Sequence, residues 1–336
     1  MATIDDVAKA VGVSKGTVSS VFSKKRPISQ EVTERVLAVA KELGYYPNHV
    51  ARSLATRKTM IAGLKMPISR DMSLSGFEIQ MINGVMKQLA KHGYRVLLDT
   101  LPEHDDPTSF SMDPVDGVIL LNPRKADPRI DRYGQMGIPI VLVGRPDPDD
   151  RSLSYVDNDN EALACEVGRY LLGLGHRSVL FLNTIRDMTV ASDRAAGLRR
   201  AFAERGLALD DDRIAYYSHE AYGNAAAYGY SALREMWGRL SFTAVITDTD
   251  RVALGVYRAA RELGIAIPDE LSVIALNNDA TLAQEMEPQL TAVELYAETL
   301  GIEAASLLMD MMAEYEPQQK MIETKLIVRS SCKSLV

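Results

Sequence analysis

In the first 46 residues, apolar positions recur with helical spacing. Ile4, Val7, Ala8 and Val11 fall at i, i+3, i+4 and i+7, one face of a helix. Thr3 stands ahead of them as a side-chain cap, and Asp6 is placed to complete a capping box. Gly12 and Val13 make a short turn, and Ser14 caps a second helix running to about Ser23. Ser29 caps a third, whose buried stripe is Val32, Val36, Val39, Ala40 and Leu43, with Gly44 closing it. The next segment, 45–58, places Val50, Ala51, Leu54 and Ala55 at helical spacing. An isolated helix under about 12–15 residues is marginal in water, so this segment is expected to fold only against a partner.

From residue 60 onward the pattern changes. Short apolar runs at 61–66, 95–99, 117–121, 139–143, 179–182, 244–247 and 272–276 do not alternate, as strands buried on both faces should not. Helical stretches at 76–92, 161–174, 193–205, 250–263 and 296–314 lie between or after them, with Gly93, Gly175, Gly206 and Gly264 punctuating four of their ends. This predicts a doubly wound α/β body with parallel sheets. So long a body exceeds one comfortable core, so two lobes with a cleft are expected.

Charge separates the two parts. Residues 1–58 hold ten Lys/Arg and five Asp/Glu, whereas the remainder holds 28 and 40. A basic head on an acidic body suggests that the head meets a polyanion. The second helix sharpens this. Val18, Val21 and Phe22 share one arc, and Lys15, Gly16, Ser19, Ser20 and Ser23 share the opposite one, with no carboxylate among them. Two helices joined by a tight turn, the second with such a polar face, read as a helix-turn-helix. Ser14 and Thr17 at the helix N-terminus suit phosphates, as do Thr3 and Ser29 at the other two caps, and Lys15 suits a guanine edge.

Other chemistries find little support. There is no G-x-G-x-x-G after a strand, no G-x-x-x-x-G-K-[ST], no G-x-S-x-G and no H-E-x-x-H. His49, His92, His104, His176 and His219 are scattered, and the acidic runs at 147–150 and 210–212 lack metal-loop spacing. Cys165 and Cys332 form neither a disulfide framework nor a metal site. No apolar run reaches membrane-spanning length, and the N-terminus lacks the charge-then-apolar order of a signal peptide. The expectation is a cytoplasmic, non-enzymatic protein without cofactor, metal or membrane contact.

The stretches TIDDVAKAVGVSKGTVSSVFS and GYYPNHVARSLATRKT resemble the lactose/galactose repressor family of bacterial transcription regulators. So do VDNDNEALACEVGRYLLGLGHRSVLFL, SDRAAGLRRAF, ITDTDRVALGVYRAARELGIAIPDELSVIAL, PQLTAV and TKLIVRSSC in the body. The resemblance implies a DNA-binding domain over 1–46, a hinge over 47–59 and an effector-binding, dimerising body over 60–336. That body is similar to periplasmic sugar-binding proteins, with three crossovers between lobes: one of 60–158 plus 292–318, the other of 159–291 plus 319–330. The hinge would lie in the minor groove of a palindromic operator, with Asn48, His49, Ala51 and Arg52 on the DNA and Leu54 wedged between base pairs. Ser20 and Ser23 stand where the family usually has Arg and Asn, and Lys15 and Gly16 occupy its variable base-reading positions.

For the cleft, the resemblance implies effector contacts from Arg194, from Asp250 (with Thr249 in place of the usual Asn) and from Asn277 in place of an aspartate. Ser69 and Arg70 after the first strand, Arg145 after the fourth, and Tyr222 and Asn224 in a later loop complete the set. The implied ligand is a small molecule, first a sugar or sugar derivative, with a purine-like corepressor or control by a phosphoprotein as alternatives. Between Asp99 and Asp116 only sixteen residues remain, with Pro102, Pro107 and Pro114 among them, so the second crossover helix of the first lobe is expected to be short or absent. After the last predicted strand, 325–329, Ser330 to Val336 give no leucine heptad, so a homodimer rather than a tetramer is expected.

Overall fold

The structure is a computed structural model, and it describes residues 2–23, 26–46, 58–66, 74–99, 114–147 and 150–336. The chain forms two compact units, Met1–Met60 and Ile61–Val336.

Among its described residues the head has three helices: α1 (Ile4–Val11), α2 (Lys15–Ser23) and α3 (Gln30–Glu42). Thr3 and Asp6 form the reciprocal capping box at the start of α1. Gly12 closes it at φ 75°, a left-handed position that glycine adopts without a Cβ clash. Val7, Ala8, Val11, Val18, Val21, Val36 and Ala40 form the core, and Phe22 meets Tyr45 edge-on at 5.7 Å. Arg35 on α3 donates to the carbonyl of Val11 at 2.8 Å, satisfying a group that the end of α1 leaves open.

The body has two six-stranded sheets. The first lobe's strands are β1 (Ile61–Lys65), β2 (Arg95–Asp99), β3 (Gly117–Leu121), β4 (Ile140–Val143), β5 (Ser154–Asn158) and β11 (Gln319–Ile322), ordered β11-β5-β4-β3-β1-β2. The second lobe's are β6 (Val179–Asn183), β7 (Ile214–Tyr216), β8 (Ala244–Thr247), β9 (Ser272–Ala275), β10 (Thr291–Glu294) and β12 (Lys325–Ile327), ordered β12-β10-β9-β8-β6-β7. Among the described residues every pairing of these strands is parallel except β10 with β12.

Helices cover both faces. The first lobe carries α4 (Gly76–Lys91), α5 (Pro128–Gln135) and α12 (Ala297–Met311). The second carries α6 (Asn160–Gly173), α7 (Thr189–Ala203), α8 (His219–Tyr222), α9 (Ala225–Met236), α10 (Asp250–Leu263) and α11 (Ala280–Glu285). In β6, Val179 and Phe181 pack toward α6 and α7, while Leu180 and Leu182 pack toward α9 and α10. Burial on both sides is why these strands read as unbroken apolar runs. The α4–α12 crossing depends on absent side chains: a Cβ on Gly84 would stand 2.1 Å from the Glu298 carbonyl, and one on Gly301 2.1 Å from that of Met81. Among the described residues no helix is long and apolar enough to cross a membrane.

The doubly wound α/β class agrees with the sequence reading, but the lobe boundaries need correcting. Residues 291–294 join the second sheet through β9, and 319–322 join the first through β5. An apolar pattern marks a strand without saying which sheet it completes. β11 is an edge strand with exposed and half-buried positions, which hides it further. The three crossovers follow β5, β10 and β11. Asn158, at the first, donates its amide to the carbonyls of Leu295 (3.2 Å) and Ile322 (3.0 Å), fastening all three together. Most of the segment between Asp99 and Asp116, where a shortened helix is expected, lies outside the described residues.

Candidate DNA-contacting face and effector cleft

On the head, the predicted contacts divide by what their side chains already do. Thr3 and Ser29 cap α1 and α3, Ser29 accepting from the Val32 amide. Ser14 Oγ accepts from the Thr17 amide at 3.1 Å and shares a hydrogen bond with its hydroxyl at 2.9 Å, which fixes the start of α2. Lys15, Gly16 and Ser19 are exposed, and Ser23 is half-buried. Lys15 Nζ rests 2.7 Å from an oxygen of Asp5, a solvent-exposed pair of the kind worth about 0–1 kcal/mol.

Ser20 departs from its expected role. It is only 7% exposed; its hydroxyl donates to the Gly16 carbonyl at 2.7 Å and accepts from Arg26 Nε at 3.2 Å. That hydroxyl is spent inside the head rather than offered to a ligand. The bond brings in a residue that helix periodicity missed. Arg26 lies beyond α2, yet its Nη2 stands 3.5 Å from where a Gly16 Cβ would be. The guanidinium therefore lies on the polar side of α2, beside Gly16 and Ser20. Only the placement of Arg26 itself reveals this, because a helical wheel ends at Ser23.

Asn48, His49, Ala51, Arg52 and Leu54 lie outside the described residues, as do Ser69 and Arg70.

In the body, polar side chains gather where strands end and helices begin, the usual place for a site in an open α/β sheet. Arg194 on α7 is 6% exposed. Its Nε donates to Asn160 Oδ1 at 3.0 Å, and its Nη1 is ion-paired with the Asp248 carboxylate just past β8. Asn160 in turn donates to Asp157 Oδ1 at 3.0 Å, at the end region of β5. Asp157 also accepts from the backbone N–H groups of Arg145 (3.0 Å) and Asn158 (2.8 Å). Burial pushes the Asp157 carboxyl up to about 7, against the lowering effect of those two N–H groups.

Arg145, from the first lobe, reaches Asp193 on α7 with Nη2 to Oδ1 at 2.6 Å. Arg145, Pro146, Asp147, Thr189 and Asp193 line a cavity of about 220 Å³ there. Along the same flank the Thr189 amide donates to the Pro123 carbonyl and the Lys125 amide to that of Asp187, at 3.2 and 3.0 Å. The lobes thus touch through charge and backbone on one side of the cleft.

The other predicted contacts are placed differently. Asp250 is buried, and its Oδ2 accepts from the Asp279 amide at 2.5 Å, so it holds the turn into α11; burial raises it to about 6. Asn277 is buried just past β9. Asn224 is an exposed N-cap, its amide oxygen accepting from Ala227 at 2.9 Å. Tyr222 packs on Tyr228 with ring centroids 5.0 Å apart. Sequence reasoning passed over Asp157, Asn160, Asp193, Tyr228 and Asp248. Asp248 was legible in principle, since it is the first acidic residue after the strand AVIT, where ligand-facing groups collect.

A pH signature follows. Asp157 and Asp250 have folded-state pKa values above their ordinary 3.8. Their neutral forms are favoured in the folded state, so their contribution is full below about pH 4 and is lost as pH rises through 6–7. Asp157→Asn should flatten the fall in unfolding free energy between about pH 4 and 7, by on the order of 1–4 kcal/mol. Denaturant unfolding at several pH values checks it; parallel curves for variant and wild type would contradict the assignment.

Residues 3–48 match the family model described as bacterial regulatory proteins, lacI family, and residues 169–332 match a periplasmic binding protein-like domain. The HTH-type transcriptional regulator CelR of Thermobifida fusca is 31% identical over 340 residues, covering 98% of each chain. Among solved structures, a CelR–cellobiose complex superposes with a TM-score of 0.73 at 29% identity, covering 98% of this chain and all of that one. The lac repressor dimer bound to operator and the anti-inducer ONPF gives 0.82 at 20% identity, over 99% of both, a likeness of fold.

Proposed function

Given that this chain belongs to the lacI family of bacterial regulatory proteins and is a DNA-binding transcriptional regulator, we propose that it represses as a cytoplasmic homodimer on a palindromic operator, released or engaged by a sugar held between the lobes of its body. The observation that carries the switch is the arrangement around Arg194. One buried guanidinium joins α7, the end of β8 and, through Asn160 and Asp157, the crossover that follows β5. A ligand that rearranges these groups acts on the crossovers directly.

On the DNA side, α2 enters the major groove with Lys15, Ser19 and Arg26 toward base edges, while Ser14 and Thr17 orient its N-terminus at the phosphates. The hinge, with Leu54 as wedge, pairs with that of the second subunit in the minor groove. The ligand biases this pairing only through different affinity for the two lobe arrangements. CelR's complex with cellobiose supports a sugar as the ligand here. No catalytic step is part of this reading.

The test is recovery of genomic fragments by the purified protein, followed by sedimentation of the complex and a thermal-shift screen of sugars and purines. The reading expects a two-fold symmetric site, a dimer on it, and stabilisation by a sugar. A monomer on an asymmetric site, or stabilisation by purines alone, contradicts it.

A further inference from the structure

The Arg194–Asp248 pair says more about the ligand than either residue does alone. Asp248 is unusually placed for a receptor of anions: it lies against the guanidinium that an anionic ligand would need, with its side chain only 13% exposed. A ligand carboxylate or phosphate reaching Arg194 must either share it with Asp248 at close quarters or displace Asp248 and leave a near-buried carboxylate unpaired. Both are costly in a site of low dielectric. The wider surroundings point the same way. Asp157 and Asp193 stand on the same network, and the guanidinium of Arg145 is itself engaged by Asp193.

A hydroxyl meets no such penalty. It both donates and accepts, so one hydroxyl of a diol can accept from Arg194 while its neighbour donates to Asp248. A third group awaits the same chemistry. The phenol oxygen of Tyr228 is fully buried and has no hydrogen-bond partner among the described residues. The rings of Tyr217 and Tyr222 wall it at 5.6 and 5.0 Å, and burial, helped by the Asp248 charge, holds the phenol protonated by raising its pKa. Buried hydroxyls of native proteins are nearly always paired, so an orphan beside a charged pair points toward a ligand group.

We propose that Asp248 is a specificity-determining residue of the cleft: by holding Arg194 it turns an anion receptor into a donor–acceptor pair for an uncharged, hydroxyl-rich ligand, with Tyr228 as a further contact. The inference rests on the reading of the cleft as the effector site and narrows it to neutral sugars, against sugar acids and sugar phosphates.

The test is calorimetric titration of the full chain with cellobiose, maltose and ribose, and with glucuronate and glucose 6-phosphate. Wild type should take at least one neutral sugar and bind the acidic compounds at least about 100-fold more weakly, the scale set by leaving one buried charge unpaired. Asp248→Asn, which keeps the shape and removes the charge, should narrow that gap to within about tenfold. Tyr228→Phe should weaken the neutral sugar without admitting the acids. Tight binding of an acidic sugar by the wild type, or an unchanged gap in Asp248→Asn with the neutral sugar still bound, overturns the proposal. If neutral sugar binding survives Asn277→Ala and Arg194→Ala undiminished, the cleft reading itself fails, and this inference with it.

Discussion

Arg194→Ala should lower the stability of the body and abolish effector response together. The guanidinium is nearly buried and paired with Asp248 and Asn160. Removing it strands a carboxylate that is itself largely buried, a change that typically costs about 3–5 kcal/mol. For a body of this size the melting temperature should fall by on the order of 10 °C. Loss of a charged donor facing the ligand should also weaken sugar binding by about 2–3 kcal/mol, roughly 30- to 150-fold. Lost stability and lost binding are separable. Arg194→Ala combined with Asp248→Ala removes both charges, and the double variant should recover most of the stability while remaining blind to the sugar. The measurement is a double-mutant cycle by denaturant unfolding, with titration calorimetry on each variant. Strictly additive stabilities would show that the pair is not coupled, and the account of the cleft would lose its centre.

The second large effect belongs to the head. Lys15→Ala and Arg26→Ala should each cost about 1–3 kcal/mol at the operator and much less on random DNA, the mark of lost base contacts. Arg26→Lys should not restore specificity, because a point charge cannot reproduce the fork of a guanidinium. Ser20→Ala should give a weaker version of the Arg26 phenotype, since Ser20 accepts from Arg26 Nε. Fluorescence anisotropy over a range of salt distinguishes the roles. A residue touching only phosphate lowers affinity for every sequence alike and makes the salt slope shallower by about one. That outcome for Arg26 would remove it from the base-reading set.

Much of this molecule is written in its sequence at the level of elements. The helical stripes of the head and the unbroken strand runs of the body follow from which faces are buried, and burial leaves a periodic trace. What failed to show has a physical reason in each case. Helix α5 is short and charged, and it starts on Pro128 after an Asp127 cap, so its apolar face is too small to register. Strand β11 is a sheet edge, and its membership in the first lobe is a fact of chain path. The site divides similarly. Arg194 was legible by resemblance, but its partner Asp248 sits where only strand geometry gives it meaning. Ser20 shows the reverse failure: a polar residue on the right helical arc whose hydroxyl bonds back to the carbonyl of Gly16, four residues earlier. Arg26 reaches the same face from a loop, and no periodicity reports that.

The central claim is that occupancy of the cleft and grip on DNA are one equilibrium. The most direct measurement is operator affinity by anisotropy, with and without a saturating concentration of the sugar that stabilises the body, paired with sugar affinity measured with and without operator. The account predicts that both change by the same factor, within the 5- to 150-fold range typical of such coupling, and that Arg194→Ala removes the change while leaving operator binding without sugar in place. A sugar that binds in the cleft at full occupancy and leaves operator affinity unaltered would contradict it.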